Sequence, residues 1–265
     1  MSDPAPFPAA RSILLPAALD PAQDGHGSAI AAVLPERDGG SVALPDLTYV
    51  FIVFTNRSGS TYLGELLAST GYFNAAEEAL NADTVLAVCK SRGIATFARY
   101  FAAIAAERSR NGHFFVKAAV GQLAVLAWHG ILGRILPRAR FIVVERMDKL
   151  GQAISWHIAA QTGLFTSYHA PRDRPPPAYS REALTNIMVA LAEAQARTDM
   201  FMGLNGIVPL QLTYELLTVH REFAVRQVCD YLGADAPPYN PARIRVQRQA
   251  TALNDAWRAR FLSGQ

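Results

Sequence analysis

Tyr49-Val50-Phe51-Ile52-Val53-Phe54-Thr55-Asn56-Arg57-Ser58-Gly59-Ser60-Thr61 is the stretch on which the fold turns. From Leu47 to Phe54 the chain is a continuous aromatic and β-branched run. Without polar alternation, such a run predicts a strand buried on both faces. A polar loop follows over Thr55–Ser60. Thr61 to Ser69 then takes a helical period, with Leu63, Leu66 and Leu67 on one face and Thr70-Gly71 as its stop. The unit is strand–loop–helix.

Working outward, the pattern repeats. Helical stretches are predicted at about 75–90 and 94–109, the second with Phe97, Phe101 and Ile104 at helical spacing. Phe114-Phe115-Val116 reads as a short strand and Gln122 to Ile135 as a helix. Ala139–Val144 is a second buried strand, and Asp148 can cap a helix over about 149–162. Arg172-Asp173-Arg174-Pro175-Pro176-Pro177 forbids helix and sheet interior, which marks an exposed flap or spacer. A long amphipathic helix follows over about Ser180–Leu204. Gly206–Leu212 is a further strand, placed at an edge or strand beginning by Pro209, and 215–232 is another helix. Strands separated by helices give an α/β fold: a single P-loop-like domain with a parallel sheet flanked by helices. Ligands in such sheets sit at the carboxyl ends of the strands, here Asn56–Thr61 and Arg146–Ser155. This domain is expected over residues 47–265. Residues 1–46 are a Pro/Ala-rich arm that reads as draped over the domain or as partly disordered.

Composition excludes several classes. Of 265 residues, 51% are hydrophobic and 18% charged, ample for a core and unlike a disordered chain. The net charge of +3 does not describe a nucleic-acid coat protein. Two cysteines, Cys89 and Cys229, make no disulfide framework, so a reducing, cytoplasmic setting is expected. Mean hydropathy is +0.10, yet no apolar run approaches the roughly 18 residues of a membrane span. The N-terminus has no basic region before an apolar stretch, so no signal peptide is expected. The six histidines show no metal-ligand spacing, and no metal is expected.

Two segments carry chemistry. The loop Asn56–Thr61, between a buried strand and a helix N-terminus, collects unpaired backbone N–H groups, hydroxyls and a guanidinium. It has the make-up of an anion site of the phosphate-loop type, the bland reading being an ordinary turn with a Ser cap. It is not a Walker A loop, because Gly-Lys-Ser/Thr is absent and Arg57 precedes the glycine. In Glu145-Arg146-Met147-Asp148, Arg146 ends a strand where a helix begins, and Ser155 shares a helix face with Asp148. Arg146 and Ser155 can converge on one phosphate; the plainer alternative is a surface Arg–Asp pair.

Taken together, Thr-x-Arg-Ser-Gly-Ser-Thr-x-Leu (residues 55–63) resembles the 5′-phosphosulfate loop of sulfotransferases that use 3′-phosphoadenosine 5′-phosphosulfate (PAPS). Phe141–Trp156 resembles their 3′-phosphate segment. The bacterial subgroup typified by trehalose 2-sulfotransferase is the most similar. Leu212–Leu217 matches a strand–helix junction of these enzymes, and Arg248-Gln249-Ala250 followed by Trp257 resembles their C-terminal nucleotide loop. The resemblance spans about residues 48–262. It implies sulfuryl transfer from PAPS, leaving 3′,5′-ADP, to a hydroxyl of a carbohydrate or glycolipid. No nucleic acid is involved, and a homodimer is left open. It further implies that Arg57, Ser58, Gly59, Ser60 and Thr61 hold the 5′-phosphate, Arg146 and Ser155 the 3′-phosphate, and that Arg248, Gln249 and Ala250 close over the nucleotide. Lys117 keeps the lysine of a family Lys-x-x-Trp segment without its aromatic, and contacts the sulfuryl group or lines the acceptor site. Asn56 stands where many relatives have Pro, and the 46-residue arm is additional. A glutamate shortly after the first helix resembles a general base. By spacing from Thr70-Gly71, Glu78 matches, with Glu77 its neighbour and His113 a runner-up; the alternative puts both acids in the first turn of a helix. His157 is a candidate for the acceptor side. The rival readings are a nucleotide-dependent, kinase-like phosphotransferase on the same fold, against which the missing Walker lysine counts, and a nucleotide-binding module without catalysis.

Overall fold

The computed structural model describes residues 12–23, 25–36, 40–165, 174–246 and 251–264. Four strands, β1 (Thr48–Phe54), β2 (His113–Ala118), β3 (Ala139–Glu145) and β4 (Leu210–Thr213), form one parallel sheet in the order β2-β1-β3-β4. The central strand explains the arrangement. Tyr49, Phe51 and Val53 belong to the core on one face, Val50 and Ile52 to the core on the other. All five are fully buried, so β1 needs helices on both sides, and the parallel crossovers supply them.

The helices are α1 (Gly25–Val33), α2 (Ser60–Ser69), α3 (Ala82–Arg92), α4 (Phe97–Arg108), α5 (Val120–Trp128), α6 (Ile131–Ile135), α7 (Lys149–Thr162), α8 (Arg181–Leu204), α9 (Tyr214–Val219), α10 (Arg221–Leu232) and α11 (Ala252–Leu262). One face of the sheet is covered by residues of α1, α3, α4, α5 and α6, the other by α2, α9 and α10. A third cluster joins α7, α8 and α11 around Trp257.

Several boundaries differ from the sequence reading. The stretch 75–81 is not helical; α3 begins only at Ala82. The chain there runs beside β2, and the Glu77 carbonyl accepts the Lys117 N–H at 3.0 Å. Glu77 and Glu78 therefore lie outside a helical first turn. Gly130, at φ 72°, splits the expected helix 122–135 into α5 and α6. His220 separates α9 from α10 where one helix was expected. Strand β4 starts at Leu210, after Pro209, whose missing N–H cannot join a ladder. Of the Pro-rich flap, residues 166–173 lie outside the described residues, and 174–180 form no regular element.

The N-terminal segment packs on the domain. Leu19, Ile30 and Leu34 are buried in the first core face. The Leu14 N–H donates to Asn205 Oδ1 at 2.8 Å. A Cβ at Gly27 would stand 2.2 Å from the Pro21 carbonyl oxygen, so α1 approaches that turn as only glycine allows. Among the described residues no helix is long and apolar enough to cross a membrane.

Candidate active site

At the carboxyl edge of the sheet, the loop after β1 and the loop after β3 face one cavity of about 630 Å³. Arg57, Gly59, Ser60, Thr61, Glu78, Arg146 and Ser155 all line it. The β1 loop has an unusual backbone. Arg57 sits at φ 64°, a left-handed conformation rare for a side-chain-bearing residue, and Gly59 follows at φ 96°. Such geometry persists where surrounding contacts enforce it. Here Gln152, fully buried on α7, donates from Nε2 to Thr55 Oγ1 at 3.0 Å and to the Asn56 carbonyl at 2.8 Å. A Cβ on Gly59 would meet the Tyr214 ring at 2.7 Å. The first N–H groups of α2 then open toward the cavity with no intrahelical partner.

Arg57 spans the two segments. Its Nε donates to Ser155 Oγ at 2.9 Å, and its Nη1 donates to the Phe165 carbonyl. Burial, and next the charge of Arg146, push the Arg57 guanidinium pKa down. Two like charges held together in this way mark a place that an anion would relieve. Arg146 lies over the Tyr214 ring at 4.7 Å and faces Asp148 at 3.6 Å. Asp148 also binds Arg258 of α11 and accepts the Gly151 N–H at 2.9 Å, capping α7. Burial raises the Asp148 pKa, but that N–H and the two arginines outweigh it and hold the carboxyl below its usual range. The Glu215 carboxylate accepts the N–H groups of Met147 and Asp148, each at 3.2 Å, so the β4–α9 junction fixes the loop that presents Arg146.

Lys117, the last residue but one of β2, has a side chain only 6% exposed, just behind the cavity wall. Its Nζ donates to Glu78 Oε1 at 2.7 Å and to Thr61 Oγ1 at 2.9 Å. Asn81 Nδ2 donates to Glu78 Oε2 at 2.9 Å. Burial would raise the Glu78 pKa; the Lys117 charge and the hydrogen bonds from Lys117 and Asn81 outweigh it, so the carboxyl lies below the ordinary range. It is ionised at neutral pH and able to take a proton.

A match to known proteins now bears on this arrangement. Residues 128–263, about half of the chain, match the Stf0 sulphotransferase family. The chain belongs to the Stf0 sulphotransferase family. A 121-residue stretch is 28% identical to trehalose 2-sulfotransferase of Mycobacterium tuberculosis (strain ATCC 35801 / TMC 107 / Erdman), covering 46% of this chain and 45% of that protein. The match thus spans just under half the length of that relative. Within the Stf0 match lie Arg146, Ser155 and Tyr214. Arg57, Glu78 and Lys117 precede it and rest on the geometry above.

The remaining candidates fall elsewhere. Ser58 is buried behind the loop, and its Oγ has no hydrogen-bond partner among the described residues. Glu77 pairs with Arg108 at 2.6 Å and does not line the cavity. His113 opens β2 at the opposite edge of the sheet, with Nδ1 2.7 Å from the Asn111 carbonyl oxygen. It stands four residues before Lys117, roughly 13 Å at strand spacing, too far to serve as the base. His157 packs against Trp257 at 5.5 Å, outside the cavity lining. Arg248, Gln249 and Ala250 lie outside the described residues, though Val246 and Asn254 on either side line the cavity. Tyr214, Arg221, Phe165 and Asn254 also line it without having been singled out. For Tyr214 a signal existed in the strand–helix junction Leu212–Leu217. Among the described residues no cluster of three or more His, Cys, Asp or Glu could hold a metal ion.

Proposed function

We propose that this chain is a PAPS-dependent sulfotransferase acting on a carbohydrate hydroxyl. One observation carries the reading: Arg57 and Arg146, from the ends of different strands, meet in one cavity beside Ser155, with the Glu78–Lys117–Thr61 cluster on the same wall. The residues fit a nucleotide with two separated phosphate groups. The Nε of Arg146, which lines the cavity, is buried without a hydrogen-bond partner among the described residues, and a buried donor of this kind calls for an acceptor. PAPS, when bound, supplies a sulfuryl group already activated on a phosphate leaving group.

The chain's own groups then have distinct tasks. Arg57 and the first N–H groups of α2 face the charge that grows on the departing phosphate oxygen. Arg146 and Ser155 hold the 3′-phosphate, and Tyr214 keeps Arg146 flat against the cavity wall. Glu78 takes the hydroxyl proton as the acceptor oxygen bonds to sulfur and the sulfur–phosphate-oxygen bond breaks. Lys117 holds Glu78 and Thr61 in register and stands near enough to the wall to temper the charge on the transferring group. Arg248, Gln249 and Ala250 are retained as the nucleotide-closing segment, and residues 47–265 as the transferase domain. Cys89 and Cys229 are buried free thiols, which suits a reducing, cytoplasmic setting.

The test is thermal shift. 3′,5′-ADP should stabilise the protein by about 2.7 kcal/mol at 100 times its Kd, and 5′-AMP and ATP–magnesium far less. Equal stabilisation by 3′,5′-ADP and 5′-AMP would remove the separate 3′-phosphate site.

A further inference from the structure

The C-terminal helix α11 reaches the site through one arginine. Trp257 of α11 is buried among Ala153 and Ile154 of α7 and Leu184 and Leu191 of α8, and it packs on Tyr179 at 5.8 Å. Arg181, at the start of α8, adds a second hold. Its guanidinium lies over the Phe261 ring at 4.5 Å and donates to the Phe261 carbonyl at 2.6 Å. Arg258 is the residue after Trp257, so this docking carries it to the start of α7. We propose that Arg258 is a positioning residue for the 3′-phosphate: it occupies the Asp148 carboxylate and so leaves Arg146 available to the ligand. This role rests on the donor site proposed above.

Asp148 is the pivot, and its two oxygens have different partners. Oδ1 accepts the Gly151 N–H at 2.9 Å and caps α7. Oδ2 accepts from Arg258 Nη2. Arg146 Nη2 stands 3.6 Å from that same oxygen, beyond hydrogen-bond length. Arg146 is therefore drawn toward the carboxylate without being bonded to it, and its buried Nε has no hydrogen-bond partner among the described residues. Without Arg258, Oδ2 opens to Arg146, the more enclosed of the two arginines, its side chain 17% exposed against 38%. A closed Arg146–Asp148 pair would use the fork that a phosphate needs.

Charge points the same way. Two guanidiniums around one carboxylate leave one positive charge in excess, so an arriving phosphate meets a cation. Arg146 with Asp148 alone would be neutral and would set a carboxylate against the phosphate. Gly151 makes the arrangement possible. A Cβ there would stand 2.1 Å from Asp148 Oδ2, 2.6 Å from Arg258 Nη2 and 2.8 Å from Arg146 Nη2. All three charged groups converge over one helical glycine, where no side chain intervenes. Glycine is a poor helix former, and its place in the first turn of α7 is explained by the room it leaves for this cluster.

The experiment is calorimetric titration of the full chain with 3′,5′-ADP and with 5′-AMP, and it reads the preference for the bisphosphate. Arg258→Ala should weaken 3′,5′-ADP by about threefold to fivefold, the upper range for a part-exposed charge pair, and leave 5′-AMP as in wild type. KM for PAPS should rise by the same factor with kcat nearly unchanged. Asp148→Asn keeps a capping side chain on α7. In that background Arg258→Ala should change the preference no further, because the carboxylate through which Arg258 acts is gone. Gly151→Ala should also lower the preference, by displacing the cluster. Alanine favours the helix, so this variant decides the matter if Arg258→Ala fails to fold. Equal weakening of both nucleotides would mean a general structural role. A loss that persists in Asp148→Asn would mean direct contact with the nucleotide, and an unchanged preference would mean no role. Each of these overturns the proposal while the donor site stands. A wild type that binds 3′,5′-ADP and 5′-AMP equally would instead overturn the donor reading, and the role of Arg258 with it.

Discussion

Glu78→Gln should lower turnover by about 10²- to 10⁴-fold, roughly 3–5 kcal/mol of barrier, while 3′,5′-ADP binds nearly as before. The substitution is nearly isosteric. A glutamine carbonyl can still accept from Lys117, so the buried ammonium keeps a partner and Thr61 keeps its position. What is lost is the ability to take a proton. Glu77→Gln, on an exposed pair with Arg108, should be mild by comparison. Turnover that survives Glu78→Gln with the true acceptor would sink the role. The pH profile gives an independent reading. Glu78 works ionised, so activity falls as pH drops through its folded-state pKa. Because Lys117 and Asn81 together overcome burial, the acid limb of kcat/KM should lie below the ordinary glutamate range. In Lys117→Met the largest lowering influence is gone, and the limb should move upward. An acid limb unmoved in that variant would mean that another group controls it.

Arg57→Ala should lower kcat by about 10²- to 10³-fold, the usual cost of removing a donor aimed at developing charge. It should also weaken 3′,5′-ADP, because the guanidinium holds Ser155 at 2.9 Å and faces the same cavity as Arg146. Arg146→Ala should act differently. It should weaken 3′,5′-ADP by roughly 1.5–3 kcal/mol, the range for a charged hydrogen bond, with the smaller effect on kcat. Steady-state kinetics with nucleotide binding by calorimetry separates the two. A change in KM alone for Arg57→Ala would reduce that residue to ground-state binding.

Much of the frame was legible because the sheet is two-sided. A strand buried on both faces must be apolar at every position, so Tyr49–Phe54 and Phe141–Val144 stand out from any surrounding text. The cap at Asp148 and the end of α2 at Thr70-Gly71 are local events, written in adjacent residues. The stretch 75–81 misled because its composition favours a helix, whereas pairing of Glu77 with Val116 draws it out along β2; tertiary contact overrides propensity. That override brings Glu78 to the cavity, so the same residues that defeat a helical reading serve the site. The convergence of Arg57 with Ser155, and of Tyr214 with both Gly59 and Arg146, joins positions some 70–160 apart in the chain. Local periodicity carries no information on such meetings.

Gly59, Tyr214 and Arg146 form a stack in which each member rests on the next. A side chain at Gly59 pushes the ring, and the ring carries the guanidinium at the end of a different strand. The three positions are therefore not independent letters of the sequence. A change at one sets which changes at the others can be tolerated, so single substitutions will misstate their worth and only paired replacements will reveal it. Variation that reshapes this site through the stack has to arrive in concert, whereas the Glu78 wall, tied to β2 and α3, stands outside the stack and meets the β1 loop through Lys117 and Thr61.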